Sequence, residues 1–101
     1  MATPPKYFHL HLSPKVGVGV DEVEETLDKL AIDWVRYGAG VWFLLTELDT
    51  LRLYQGLALL VEDPDKSRQG NMLFFPIGDP PLSGYTGAKV WNWLGVKRTN
   101  Y

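Results

Sequence analysis

The hydrophobic pattern in the middle of the chain predicts a β-hairpin around which the other elements are organised. β-Branched and aromatic residues gather in residues 31–37, and residues 41–46 (VWFLLT) form a nearly continuous apolar run. Such a run is typical of a central strand that is buried on both faces. Gly38 and Gly40 separate the two segments, and glycine tolerates the positive φ angles of tight hairpin turns. One alternative stays open, because the apolar residues of 21–37 also fit the spacing of one long helix.

The segments outside the hairpin predict two further strands. Residues Lys6–Leu12 alternate between a mostly polar and an apolar side, as expected of a strand with one buried face. Residues 72–77 (MLFFPI) are apolar and short enough for a strand. Proline cannot donate to a β-ladder, so Pro76 places this strand at a sheet edge or near its end.

The connections between the strands predict two helices. Asp21 begins the first, with Glu24 three residues later as an Asp-headed variant of a capping box. Asp49 or Thr50 can cap the second, which continues through residues rich in leucine, alanine, arginine and glutamine. A strand stays open as an alternative for 51–61, because the apolar residues near its end also alternate.

In chain order these elements predict an α+β fold. It is a ferredoxin-like βαββαβ sheet with two helices on one face. The 101 residues suit a single domain at 1–101, with a core at about residues 6–77 and a C-terminal extension at 78–101. Within the extension, we expect Thr86 to cap a short helix that Gly95 ends.

Composition narrows the class of protein. The chain has no cysteine, so disulfides and thiolate metal sites are excluded. Its net charge of −2 provides no overall attraction to nucleic acid or to anionic membranes. The first residues lack the pattern of a secretory signal, and no apolar run is as long as a membrane span. We expect a cytoplasmic protein with no membrane partner and no cofactor.

The order and spacing of the elements resemble a known group of proteins. The segment VWFLLT at 41–46, followed by the Asp49–Val61 helix, is similar to the small CRISPR-associated ferredoxin-like proteins of the adaptation complex and to their toxin-like relatives. The resemblance spans about residues 6–77. It implies a homodimer and, for some members, metal-dependent cleavage of nucleic acid by an acidic residue at the end of the first strand. Residues 12–14 (LSP) occupy that position here, so the chemistry is not expected to carry over.

Three residues are candidates for catalysis. His9 and His11 share one face of the first strand at a spacing of about 7 Å, at which imidazoles can bind a metal or pass a proton. They are the only two histidines, so a third metal ligand would have to be of another type. Asp49 is the third candidate, although its position also predicts a helix cap. These residues do not amount to a predicted metal site or catalytic constellation.

The C-terminal extension contains the candidate binding residues, which combine cations with large aromatic rings. They are Lys89, Trp91, Trp93, Lys97 and Arg98. Tryptophan and arginine are common anchors of protein interfaces, and cations beside aromatic rings also suit single-stranded nucleic acid. A sheet with helices on one face leaves the other face open. The segment after Ile77 can either fold back over that face or cross to a second copy. We expect a homodimer in which the arm from Asp79 to Tyr101 contributes contact area.

These observations favour a small non-enzymatic protein-interaction module that forms a homodimer, with another protein as a further partner. The alternative is a metal-dependent nuclease or a nucleic-acid-binding protein related to the CRISPR adaptation or toxin-type ferredoxin-like proteins. Neither a substrate nor a partner can be identified from the residues.

Overall fold

The computed structural model describes residues 4–77 together with Asn92, Trp93 and Gly95. None of the helices in this described part is long and apolar enough to span a membrane. In chain order the elements are β1 (Lys6–Ser13), α1 (Val20–Leu30), β2 (Asp33–Gly38), β3 (Val41–Thr46), α2 (Thr50–Leu57), the 3-10 turns Ala58–Leu60 and Lys66–Arg68, and β4 (Asn71–Ile77).

The four strands form one antiparallel sheet in the order β2-β3-β1-β4. β1 and β3 are the central strands, and α1 and α2 are the crossover connections. This is the predicted βαββαβ arrangement of a ferredoxin-like α+β fold. β4 lies at an edge, so the prediction from Pro76 is confirmed.

The hydrophobic core lies between the sheet and the two helices. Because side chains alternate along a strand, every second residue of β1 and β3 points toward the helices. The buried side chains of this core include Phe8, Leu10, Leu12, Trp42 and Leu44 from the sheet, and Val23, Leu27, Leu53 and Leu57 from the helices. Both helices therefore cover the same face of the sheet, as predicted.

The β2–β3 hairpin has the predicted glycine turn. Ala39 and Gly40 connect the strands, and Gly40 has a φ of 72°. A β-carbon on Gly40 would lie 3.0 Å from the carbonyl oxygen of Leu12, so glycine is favoured by backbone conformation and by its neighbour. The alternative of one helix over 21–37 is wrong, because α1 ends at Leu30 and the next residue is extended.

The start of α1 differs from the prediction. Its N-cap is Gly19, which offers no side-chain hydrogen bond, so the capping box of Asp21 and Glu24 is wrong. Asp21 lies in the first turn, where a carboxylate interacts favourably with the helix dipole. Glu24 instead faces the sheet: its Oε2 accepts a hydrogen bond from Nε1 of Trp42 at 3.1 Å and lies 3.7 Å from Nε of Arg36.

The start of α2 agrees with the prediction. The side chain of Asp49 accepts a hydrogen bond from the backbone N–H of Arg52 at 2.8 Å, which is the expected N-cap contact. The strand alternative for 51–61 is wrong, because α2 is followed directly by a 3-10 turn. A β-carbon on Gly56 would lie 2.6 Å from the side chain of Leu30, so this glycine allows α1 and α2 to approach closely.

The C-terminal extension is described at three residues. Asn92, Trp93 and Gly95 have helical backbone, in line with the predicted short helix, but Gly95 lies in helical backbone instead of following it. The predicted cap Thr86 lies outside the described residues, as do the candidate binding residues Lys89, Trp91, Lys97 and Arg98.

Candidate interaction surface on the open face of the sheet

The face of the sheet opposite the helices, here called the open face, is lined mainly by aromatic and aliphatic side chains. The strand register and the alternation of side chains place every second strand residue on it. Its residues are Tyr7, His9, His11 and Ser13 of β1, Asp33, Val35 and Tyr37 of β2, Val41, Phe43 and Leu45 of β3, and Asn71, Leu73, Phe75 and Ile77 of β4. This set of described strand residues contains no lysine or arginine.

His9 lies at the centre of an aromatic cluster on the open face. Its ring stacks on Phe75 with the centroids 5.1 Å apart and meets Phe43 edge to face at 5.4 Å. Tyr37 and Phe43 stack on each other at 4.7 Å. Aromatic pairs in these geometries stabilise a fold beyond the area that they bury. One face of each stacked ring is therefore covered by a neighbouring ring.

The imidazole of His9 is hydrogen-bonded within this cluster. Its Nε2 pairs with the hydroxyl of Tyr37, and its Nδ1 is buried with no hydrogen-bond partner among the described residues. Burial and, as a second cause, a positive charge on His11 lower the pKa of His9 below its usual value. Burial also raises the pKa of the Tyr37 hydroxyl. The His9–Tyr37 pair is therefore uncharged at neutral pH.

The three candidate catalytic residues are not brought together. His9 and His11 lie on the open face of β1, whereas Asp49 caps α2 in the helical layer. Across residues 4–77 and the three described residues of the extension, no group of three or more histidine, aspartate or glutamate side chains is placed to hold a metal ion.

Trp93 covers one end of the open face. Its ring meets Tyr7 edge to face with the centroids 6.1 Å apart, and it packs against Val35, the buried residue of β2. Leu45, which is paired with Tyr7, is fully buried. Trp93 therefore contacts the open face of its own chain, and a contribution of the extension to contact with a second copy stays a prediction.

The other end of the open face, at β4, is exposed. The side chain of Leu73 is 66% exposed and that of Phe75 is 45% exposed. His11, the β1 partner of Leu73, is exposed as well. These three residues, here called the β4 patch, place two large apolar side chains in solvent on the same face of one strand. Burial against a partner would remove this apolar surface from water.

The β4 patch was missed by the sequence analysis, which placed the binding residues in the extension. Of those residues the structure describes only Trp93, which contacts its own chain. The apolar character of residues 72–77 could nevertheless have predicted the β4 patch. An edge strand that is apolar at almost every position has apolar side chains on both faces, and one of these faces has no helices to cover it.

No protein-family model, curated protein or solved structure matches this chain. The function proposed below therefore rests on the geometry of the described residues.

The lowered pKa of His9 predicts that stability depends on pH. A histidine whose pKa is lower in the folded state contributes stability that is fully present above its unfolded pKa of 6.5 and is lost as the pH falls through the folded value. We expect the free energy of unfolding, measured with urea, to decrease from about pH 7.5 to about pH 5.5. His9→Gln should flatten this dependence, whereas His11→Gln should weaken it only in part, because it removes the second and smaller cause of the lowered pKa of His9 and leaves the burial of His9 unchanged. If the free energy of unfolding changes with pH equally in His9→Gln and in the unchanged chain, the pH dependence does not come from His9.

Proposed function

We propose that this chain is a small non-enzymatic protein-interaction module that self-associates, with the β4 patch as its contact surface. The observation that supports this proposal is the exposure of Leu73 and Phe75 beside an aromatic cluster that is otherwise packed. The cores of protein interfaces are depleted in charged residues and enriched in aromatic ones. The β4 patch and its strand neighbours on the open face have this character.

The same face suits nucleic acid less well. Proteins that bind single strands provide open ring faces for bases and cations for phosphates. Here the rings of His9 and Phe75 stack on each other, as do those of Tyr37 and Phe43. The cationic residues of the described strands are Lys6 and Arg36. Their side chains lie on the face of the sheet that the helices cover, away from these rings. The geometry therefore favours a protein partner over nucleic acid.

Leu73→Asp is expected to weaken self-association by about tenfold or more. A carboxylate in the contact would lose its hydration without gaining a partner, and each loss of about 1.4 kcal/mol raises the dissociation constant tenfold. Sedimentation velocity or light scattering on the intact chain, at concentrations up to tens of micromolar, measures the effect.

Leu59→Asp is the matched control for this experiment. Leu59 is 78% exposed, but it lies on the 3-10 turn after α2, in the helical layer. We expect this variant to associate as the unchanged chain does. A monomeric intact chain at tens of micromolar would contradict the proposed function. A dimer that both variants weaken equally, or that neither weakens, would contradict the assignment of the contact to the β4 patch.

A further inference from the structure

The outer edge of β4 presents backbone groups that the sheet does not use. The N–H of Leu12 donates to the carbonyl oxygen of Gly40 at 2.8 Å, so the even-numbered residues of β1 bond toward β3 and the odd-numbered ones bond toward β4. By the alternation of antiparallel pairs, the odd-numbered residues of β4 bond to β1. Met72, Phe74 and Pro76 therefore direct their backbone groups away from the sheet. Proline has no backbone N–H, and at position 76 this group would point away from β1, so the pairing of β4 with β1 loses no hydrogen bond.

The opposite edge, at β2, is protected against pairing. By the same alternation the N–H of Trp34 points outward, and it donates to Oδ1 of Asp33 at 2.8 Å. β2 also carries the charges of Asp33 and Arg36, and its register with β3 shifts between Arg36 and Gly38. Local caps, charges and irregularities are the devices by which edge strands resist pairing.

Within the described residues 71–77, the edge at β4 has no local cap, charge or irregularity, and Pro76 is the one residue there that cannot donate a backbone hydrogen bond. Its seven residues, NMLFFPI, carry no charged side chain, and their register with β1 is unbroken. Two copies of such a strand can meet without like-charge repulsion. Exposed, uncharged edges with free donors and acceptors are the usual templates for pairing with another chain.

We propose that β4 pairs antiparallel with β4 of a second copy about a two-fold axis, so that two sheets become continuous. This inference rests on the proposed self-association and specifies its geometry. Alternate residues of a strand lie on the same face of the sheet. Leu73 and Phe75 of both copies therefore lie side by side on the joined open face. One contact then buries part of the β4 patch, because the side chains of the two copies meet side by side, and it pairs the outward backbone groups of Met72 and Phe74.

Pro76 selects the register of this pairing. With the axis at Leu73, that residue faces the partner's Leu73, and Met72 and Phe74 exchange backbone hydrogen bonds with the partner's Phe74 and Met72. Pro76 then lies beyond these paired residues. With the axis at Phe74, the carbonyl of Met72 would face the nitrogen of the partner's Pro76, which has no hydrogen to donate. The register centred on Leu73 is therefore favoured.

Cysteine cross-linking tests the pairing, because the chain has no cysteine of its own. Leu73→Cys is expected to form a disulfide-linked dimer under mild oxidation roughly tenfold or more faster than Leu59→Cys, since facing cysteines in a dimer have an effective concentration in the millimolar range. The distance between facing residues of such a pair also suits a disulfide. Phe75→Cys should link slowly to itself but rapidly to Asn71→Cys in a mixture, because these two positions face each other in the proposed register.

Sedimentation of the intact chain separates the failure of this inference from the failure of the proposed function. A dimer in which Leu73→Cys oxidises no faster than Leu59→Cys overturns the edge pairing and leaves self-association standing. Rapid linking of Leu73→Cys to Phe75→Cys, with slow linking of Leu73→Cys to itself, overturns the register centred on Leu73. A monomeric intact chain overturns both the pairing and the proposed function.

Discussion

Replacing Trp42 with alanine is expected to lower the free energy of unfolding by about 3–5 kcal/mol, the usual range for a large aromatic residue in a core. The side chain of Trp42 is fully buried between the sheet and the helices, so its removal leaves a cavity where β3 meets α1. The variant also loses the hydrogen bond from Nε1 to Glu24, whose carboxylate then faces the edge of that cavity. Urea denaturation followed by circular dichroism measures the loss.

Trp34→Ala is the matched control for this prediction. Trp34 also donates its Nε1–H to a carboxylate of α1, that of Asp28 at 2.8 Å, but its side chain is only partly buried, in an edge strand. We expect a loss of about 1–2 kcal/mol for this variant. Equal losses for the two variants would show that the hydrogen bond to α1, and not burial, sets the contribution of each tryptophan. If Trp42→Ala does not fold, Trp42→Phe should still lose more stability than Trp34→Phe.

Replacing Gly70 with alanine is expected to cost about 2–3 kcal/mol or more, because the added methyl group has no space. A β-carbon on Gly70 would overlap the carbonyl oxygen of Ser13 and lie 2.7 Å from the carbonyl carbon of Pro14 and 2.8 Å from the backbone nitrogen of Lys15. All three atoms belong to the backbone, so no change of rotamer relieves the overlap. The N–H of Gly70 also donates to the carbonyl oxygen of Val61 at 2.8 Å, which opposes a shift of Gly70 itself.

Gly19→Ala is the control for this substitution. No heavy atom lies within 4 Å of a β-carbon built on Gly19, and its φ of −93° is accessible to alanine. We expect a loss of about 1 kcal/mol or less, which comes from the preference for glycine over alanine at an N-cap and not from a steric overlap. Thermal or urea denaturation of the two variants tests the comparison. A Gly70→Ala chain as stable as Gly19→Ala would contradict the close approach of the two backbone segments.

Much of the secondary structure follows from local signals. The glycines around Ala39 predict the hairpin, because a tight turn needs positive φ, which Gly40 has. Asp49 predicts the start of α2, because its carboxylate accepts a hydrogen bond from within the first turn. The local prediction is wrong at α1, where Gly19 is the N-cap. Aspartate is favourable both at an N-cap and in the first turn of a helix, so the presence of Asp21 does not tell which of the two positions it occupies.

Burial of the central strand was predicted only in part. The run at 41–46 suits a strand buried on both faces, yet Phe43 is only partly buried. Trp42 and Leu44 are covered by α1 and α2, whereas Phe43 lies on the open face among other aromatic rings. An apolar run does not specify what covers each of its faces, because the covering elements are distant in sequence.

The sequence by itself determined the βαββαβ order and the alternation of side chains, since both depend on residues close together in the chain. The tertiary structure alone decided the strand order β2-β3-β1-β4, which pairs β4 with the first strand of the chain. That long-range pairing makes β4 an edge and leaves Leu73 and Phe75 exposed. Trp93 packs at the other end of the open face through contacts that are equally distant in sequence. Exposure is a property of neighbours in space, so the β4 patch was determined by the tertiary structure.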